Sequence, residues 1–243
     1  MKGVILAGGL GTRLYPLTYT TNKHLLPIFD KPMIFYPIST LVQAGIKEIL
    51  VIVSGPHAGH FIGVLKNGKE LGVEHLEFAY QEKPDGGIAD ALLLAEDFAD
   101  NSEICVILGD NTTDAKIKDS IDSFRDGSLL FFKKIEDPES LRRFGVAVFD
   151  KDNKLIKIEE KPKNPQSQLV ATGLYVYDNK VFEYIRKCSP SWRKEIEITD
   201  VNNHYIAKGK ANWINLSGFW SDTGTFETLF LANSYWAKKH ENR

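Results

Sequence analysis

A chain of 243 residues can bury a substantial core, either as one large α/β domain or as two small ones. Its 30 basic and 32 acidic residues leave no general basic footprint for nucleic acid, so any phosphate binding must be local. Cys105 and Cys188 lack metal or disulfide spacing, and glycines interrupt the apolar run 4–7 before it could become a signal-peptide core. Together these predict a reduced, cytoplasmic protein with no nucleic-acid or membrane partner.

In chain order, short β-like runs at 2–6, 49–53, 75–80 and 104–108 predict buried strands. Between them, helical patterns cover 32–44 and 58–67, which stop before Gly45 and Gly68, and then 88–98. That alternation belongs to a sheet with helices on its faces. Past Asp110 the strand-like runs crowd together at 129–134, 146–149, 155–158 and 174–177, which predicts a more antiparallel part. Thr199 reads as the N-cap of a helix ending near Ala207. A last helix over 225–239 would place Phe226, Leu229, Phe230 and Trp236 on one face. The expected fold is thus α/β: a Rossmann-like, mixed, mainly parallel sheet flanked by helices, with a smaller antiparallel part. No repeat or long linker divides it, so 1–243 reads as a single domain.

The first strand runs straight into Gly8-Gly9-Leu10-Gly11-Thr12-Arg13. Glycine lets backbone amides approach an anion closely, and successive amides form an anion-binding concavity, so this loop can hold phosphate oxygens. Two familiar alternatives fail: Leu14 stands where a dinucleotide fingerprint starting at Gly9 needs its third glycine, and no Gly-Lys-Ser/Thr ending follows for a Walker loop. Lys23 is a second cation that the chain can fold back towards the loop.

Asp110 lies just past the end of a predicted strand, where ligand sites gather in open α/β sheets. Asp222 lies among small residues just before the last helix. Each alone reads as a turn or cap residue, but a pair of carboxylates with substrate phosphates is a common magnesium shell. Gln81 follows another strand, and a carboxamide can donate to and accept from a pyrimidine edge at once. His57 and His60 share a helical spacing without further ligand-type neighbours and read as a surface pair. Ser54 and Ser102 lack the flanking pattern of a nucleophile elbow.

The run Leu6-Ala7-Gly8-Gly9-Leu10-Gly11-Thr12-Arg13-Leu14, followed by Lys23, resembles the signature of sugar-1-phosphate nucleotidyltransferases. Further segments follow in that family's order nearly to the end of the chain. The resemblance implies that Gly8, Gly9, Gly11, Thr12 and Arg13 hold a nucleoside triphosphate, that Lys23 contacts phosphate, and that Gln81 with Gly86 and Gly87 reads the base. It assigns Gly145, Glu160, Lys161, Gly173 and Arg193 to the sugar phosphate, and Asp110 and Asp222 to a magnesium ion. Arg13, Lys23 and Lys161 are the implied catalytic residues. Residues 1–110 become mainly the nucleotide-binding part, and 111–243 mainly the sugar-phosphate-binding part with the C-terminal helix.

The implied substrates are dTTP and glucose 1-phosphate, with UTP or another sugar 1-phosphate as alternatives, and the implied assembly is a homo-oligomer. A noncatalytic nucleotide-sugar sensor is the reading from another class. Three details depart from the family pattern: an extra residue before Ile88, Asp90 where a glutamine is usual, and Lys194 where a glycine is usual.

Overall fold

A computed structural model describes residues 1–83, 85–191 and 194–241. Its strands, in chain order, are β1 (Lys2–Ala7), β2 (Pro27–Ile28), β3 (Lys31–Pro32), β4 (Glu48–Val53), β5 (His75–Tyr80), β6 (Ile104–Leu108) and β7 (Asn111–Thr113). Then follow β8 (Ser128–Lys134), β9 (Gly145–Phe149), β10 (Leu155–Glu160), β11 (Leu169–Tyr177), β12 (Ala211–Asn215) and β13 (Trp220–Asp222). Among the described residues, nine of these form one sheet. Its main path is β10-β9-β11-β6-β1-β4-β5, with β8 joining β11 to β12.

Alternation along a strand explains why both faces of this sheet are covered. In β1, Ile5 and Ala7 enter one apolar cluster together with Ile38 and Leu41 of the helix Phe35–Gln43. Val4 and Leu6 enter another, on the opposite face, with Ala91 and Leu92 of the helix Ile88–Leu93 and Val201 of the helix Ile198–Ala207. Strands β6, β1, β4 and β5 are mutually parallel, whereas β11 lies antiparallel to β6 and β8, and β10 antiparallel to β9. The expected mainly parallel half and antiparallel half therefore share one continuous sheet.

Five expectations need correction. The segment 75–80 is an edge strand paired only with β4, so its side chains alternate between exposed and half-buried rather than sitting in the core. The first helix begins at Phe35, not residue 32, because the amides of Met33 and Ile34 are bonded to the carbonyls of Leu26 and His24 beside the β2–β3 hairpin. Residues 88–98 form two short helices, Ile88–Leu93 and Glu96–Ala99. Between them the amides of Leu94 and Ala95 bond three residues back, a tighter turn that ends the α pattern. Thr199 is not an N-cap: the helix starts at Ile198 with Glu197 in the extended cap position, and the Thr199 hydroxyl donates to Glu160 Oε2 at 2.5 Å.

The last helix, Phe226–Glu241, is rotated from the expected face. Phe226 and Phe230 are 45% and 74% exposed, while Leu229 and Ala232 are buried. Side-chain bonds set this rotation. Asn233 Oδ1 accepts from the Phe29 amide at 2.7 Å, the Trp236 indole donates to Thr112 Oγ1 at 2.6 Å, and Lys239 pairs with Asp114 at 2.5 Å. No helix among the described residues is long and apolar enough to cross a membrane.

Candidate active site

The four parallel strands end on the same edge of the sheet, and β1, β5 and β6 each deliver residues to a cavity of about 590 Å³. From β1 come Gly8, Gly9 and Arg13; the residue after β5 is Gln81; Asp110 follows β6. After β4 comes Ser54, whose hydroxyl accepts from the Gly9 amide at 2.8 Å and so holds the glycine loop against the sheet. Sequence reasoning gave Ser54 no role. Its work is structural, and only the pairing of β1 with β4 brings it to the loop.

Gly11 and Thr12 do not line the cavity. Gly11 adopts a left-handed backbone (φ 66°), and its carbonyl accepts from the Leu14 amide and the Thr18 hydroxyl, so it shapes the turn that aims Arg13. Thr12 begins that turn with its side chain outside. Gly86 likewise stays out of the lining, whereas Gly87 enters it. Arg193 lies outside the described residues.

The two aspartates converge because their strands pair. Asp222 sits opposite Asn111 in the β7–β13 ladder, and the Thr223 amide and hydroxyl both donate to the Asp110 carbonyl, at 2.9 and 2.7 Å. Asp222 therefore ends the short strand β13. Both carboxylates face the cavity.

Their electrostatics differ. Burial pushes Asp222 up to about 6, and the neighbouring Asp110 charge adds to that, against the pull of Arg143, whose Nη2 donates to Asp222 Oδ2 at 3.0 Å. At Asp110 burial acts in the same upward direction. There the Lys23 ammonium at 2.6 Å, His24 and the Asn111 amide outweigh it and hold the carboxyl well below the usual range. His24 itself is buried and pushed down to about 3, chiefly by burial and then by Lys23, so at neutral pH it is an uncharged support.

Arg13 reaches this acidic pair from the loop: a Cβ on Gly224 would lie 3.1 Å from Arg13 Nη2 and 3.5 Å from Asp222 Oδ2. Opposite, Gly145, Glu160, Lys161 and Gly173 come from β9, β10 and β11 and complete the cavity. Gly145 is small for a reason, since a Cβ there would stand 3.4 Å from Glu160 Oε2 and 2.9 Å from Ile158 Cγ2. Arg143 is the main residue that sequence reasoning missed. It precedes the Phe144-Gly145 segment without any local signal, and its partner Asp222 is 79 positions away.

Gln81 is 5% exposed, and its Nε2 is within hydrogen-bonding distance of Asp90 Oδ2 (3.1 Å) and the Gly87 carbonyl (3.4 Å). Its carbonyl oxygen lies towards the loop, 3.1 Å from where a Cβ on Gly8 would be. The expectation that this amide both donates to and accepts from a base is thus corrected: both donors are engaged by the protein.

Gly87 has φ 96°, and a Cβ there would meet the Ile196 carbonyl oxygen at 2.7 Å. Gly87→Ala is accordingly expected to lower unfolding stability by about 1–3 kcal/mol and to weaken nucleotide binding, read by urea denaturation and by titration calorimetry. An unchanged midpoint and affinity would remove the close approach from the argument.

Residues 2–239 match the family model described as nucleotidyl transferase. The chain is 43% identical to a glucose-1-phosphate thymidylyltransferase of Neisseria gonorrhoeae, over 97% of this chain and 82% of that protein. It is 38% identical to the enzyme of the same name from Mycobacterium tuberculosis, at the same coverages. A solved Bacillus anthracis structure, of a protein assigned as a glucose-1-phosphate thymidylyltransferase and bound to a sucrose, superposes with TM-score 0.90 at 44% identity, covering 97% of this chain and 94% of its own. A UDP-glucose pyrophosphorylase bound to UDP-glucose shares the fold at TM-score 0.82 and 23% identity, covering 98% of each chain.

Proposed function

This chain belongs to the nucleotidyl transferase family, and on that premise we propose that it transfers the nucleotidyl group of dTTP to glucose 1-phosphate, giving dTDP-glucose and pyrophosphate. The observation that carries the reading is the convergence of Arg13, Asp110 and Asp222 on the cavity at the ends of the parallel strands. Residues 1–110 supply mainly the nucleotide side of this one site and 111–243 mainly the sugar-phosphate side, so we treat them as a single catalytic domain.

Two phosphorylated substrates must be brought together against their own charge. Unit negative charges about 4 Å apart repel by about 4 kcal/mol at an effective dielectric near 20, and several such pairs form here. The attacking group needs no base, because a phosphate monoester has its second pKa near 6 and is largely a dianion at neutral pH. Positioning and charge stabilisation then carry the rate.

The glycine loop, with its Gly9 amide held by Ser54, brings Gly8 and Gly9 close to the triphosphate, and Arg13 draws charge onto the leaving pyrophosphate. Lys161 orients the sugar phosphate for in-line attack on the α-phosphorus, while Glu160, fixed by Thr199, accepts from sugar hydroxyls. Lys23 is held by Asp110 at the loop side of the cavity, where it contacts phosphate.

A divalent cation suits Asp110 and Asp222. Asp110 is buried and Asp222 half-buried, both line the one cavity, and the charge of Asp110 adds to the burial that pushes Asp222 up, a repulsion that a divalent cation between them would offset. Magnesium held there supplies charge neutralisation of the triphosphate.

The test is a matrix of nucleoside triphosphates against sugar 1-phosphates, scored for magnesium-dependent pyrophosphate release. Fastest turnover is expected with dTTP and glucose 1-phosphate. UTP is the nearest competitor, because thymine and uracil offer Gln81 the same edge. No release from any pair would sink the catalytic reading, and a faster pair would replace the named substrates.

A further inference from the structure

Asp90 does not line the cavity, yet it stands directly behind Gln81, the residue assigned above to the base. It lies in the first turn of the helix Ile88–Leu93, and its carboxylate tucks beneath Gly86, where a Cβ would collide with Asp90 Oδ2. Gly86 is therefore small to admit this carboxylate, not to approach a ligand.

A carboxamide has two N–H donors and one carbonyl oxygen, whereas an ionised carboxylate and a peptide carbonyl can only accept. Nε2 of Gln81 faces one of each, Asp90 Oδ2 at 3.1 Å and the Gly87 oxygen at 3.4 Å. The opposite orientation of the amide would set Gln81 Oε1 against two acceptors, which costs free energy in a buried place. So the amide has one stable orientation, with both donors engaged and Oε1 turned to the glycine loop and the cavity.

We infer that Asp90 is a positioning residue for nucleobase choice: it fixes Gln81 as a pure acceptor, so the site selects a pyrimidine that presents a ring N–H and rejects one that presents an unprotonated ring nitrogen. Thymine and uracil carry that N–H at N3. Cytosine has an acceptor there instead and would face Gln81 Oε1 with repulsion. The inference deepens the nucleotide reading above and rests on the base lying at Gln81.

The experiment is titration calorimetry of dTTP, UTP and dCTP with magnesium on the wild-type protein, Asp90→Asn and Asp90→Leu. A partly unfolded variant weakens every apparent dissociation constant by the same factor, so the ratio between two nucleotides still reports. Wild type is expected to prefer dTTP over dCTP by on the order of a hundredfold, since a mispaired buried polar group is heavily penalised. Asp90→Leu releases the amide to turn, and that preference should fall by about tenfold or more. Asp90→Asn can face Gln81 with either of its atoms, so its preference should lie between the two.

The ratio of dTTP to UTP should stay constant in all three proteins, which a general distortion of the pocket would not allow. An unchanged dTTP to dCTP ratio in both variants, or equal movement of both ratios, overturns the inference. Because binding is read without turnover, a wild type that discriminates the bases but releases no pyrophosphate would defeat the catalytic reading alone. A wild type that binds none of the three would defeat both.

Discussion

Arg13→Ala is expected to reduce kcat by on the order of 10²–10³-fold, the range for removing one preorganised stabiliser of developing charge. Unfolding stability should change by less than about 0.5 kcal/mol, because the side chain is exposed and its backbone turn is held by Gly11 and Thr18. The contrast is the point of the variant. Arg13 stands close to Asp222 at the cavity, so in the proposed reaction its loss would remove charge stabilisation from the transition state and little from the core. Pyrophosphate release together with urea unfolding on the same preparation checks it, and equal turnover in the variant would take Arg13 out of the reaction.

The second large effect separates the two aspartates. Asp110→Asn and Asp222→Asn should each lower magnesium-dependent turnover by on the order of 10²-fold or more, since each would remove a carboxylate from the proposed cation site. Their stabilities should part. Asp110 is ionised against burial by Lys23 at 2.6 Å, and breaking a buried pair leaves an uncompensated charge, so its variant should lose about 3–5 kcal/mol. Folding raises the carboxyl of Asp222 towards about 6, which means that the folded state disfavours its charge, and a neutral amide of the same shape should cost little in EDTA. Equal destabilisation of both variants, or retained magnesium-dependent turnover in either, would refute this division.

The functional class was open to view in the sequence because its chief elements are local. A strand followed by a dense glycine turn and an arginine needs only a dozen consecutive residues, and Gly8, Gly9 and Arg13 do line the cavity. The four parallel strands were legible for a similar reason: runs covered on both faces are apolar throughout, as in β1, β4 and β6. Strand β5 was read as a core strand although its letters alternate: His75, Glu77 and Tyr80 are exposed while Leu76 and Phe78 are half-buried, the pattern of an edge strand. The last helix misled because several rotations satisfy its scattered apolar residues, and bonds from Asn233, Trp236 and Lys239 to distant segments choose among them.

Consecutive residues suffice to set the strand-to-loop turn at Gly8–Arg13, the alternation of strands and helices, and the kinds of side chain available for the reaction. Tertiary structure alone decided that Arg143 meets Asp222, that Ser54 anchors the loop, and that Asp90 engages the donors of Gln81. Periodicity and turn chemistry act over a few residues, so they can be read along a chain. Charge pairing and amide orientation depend on groups tens of residues apart, and these acquire partners only when the sheet sets its strand order.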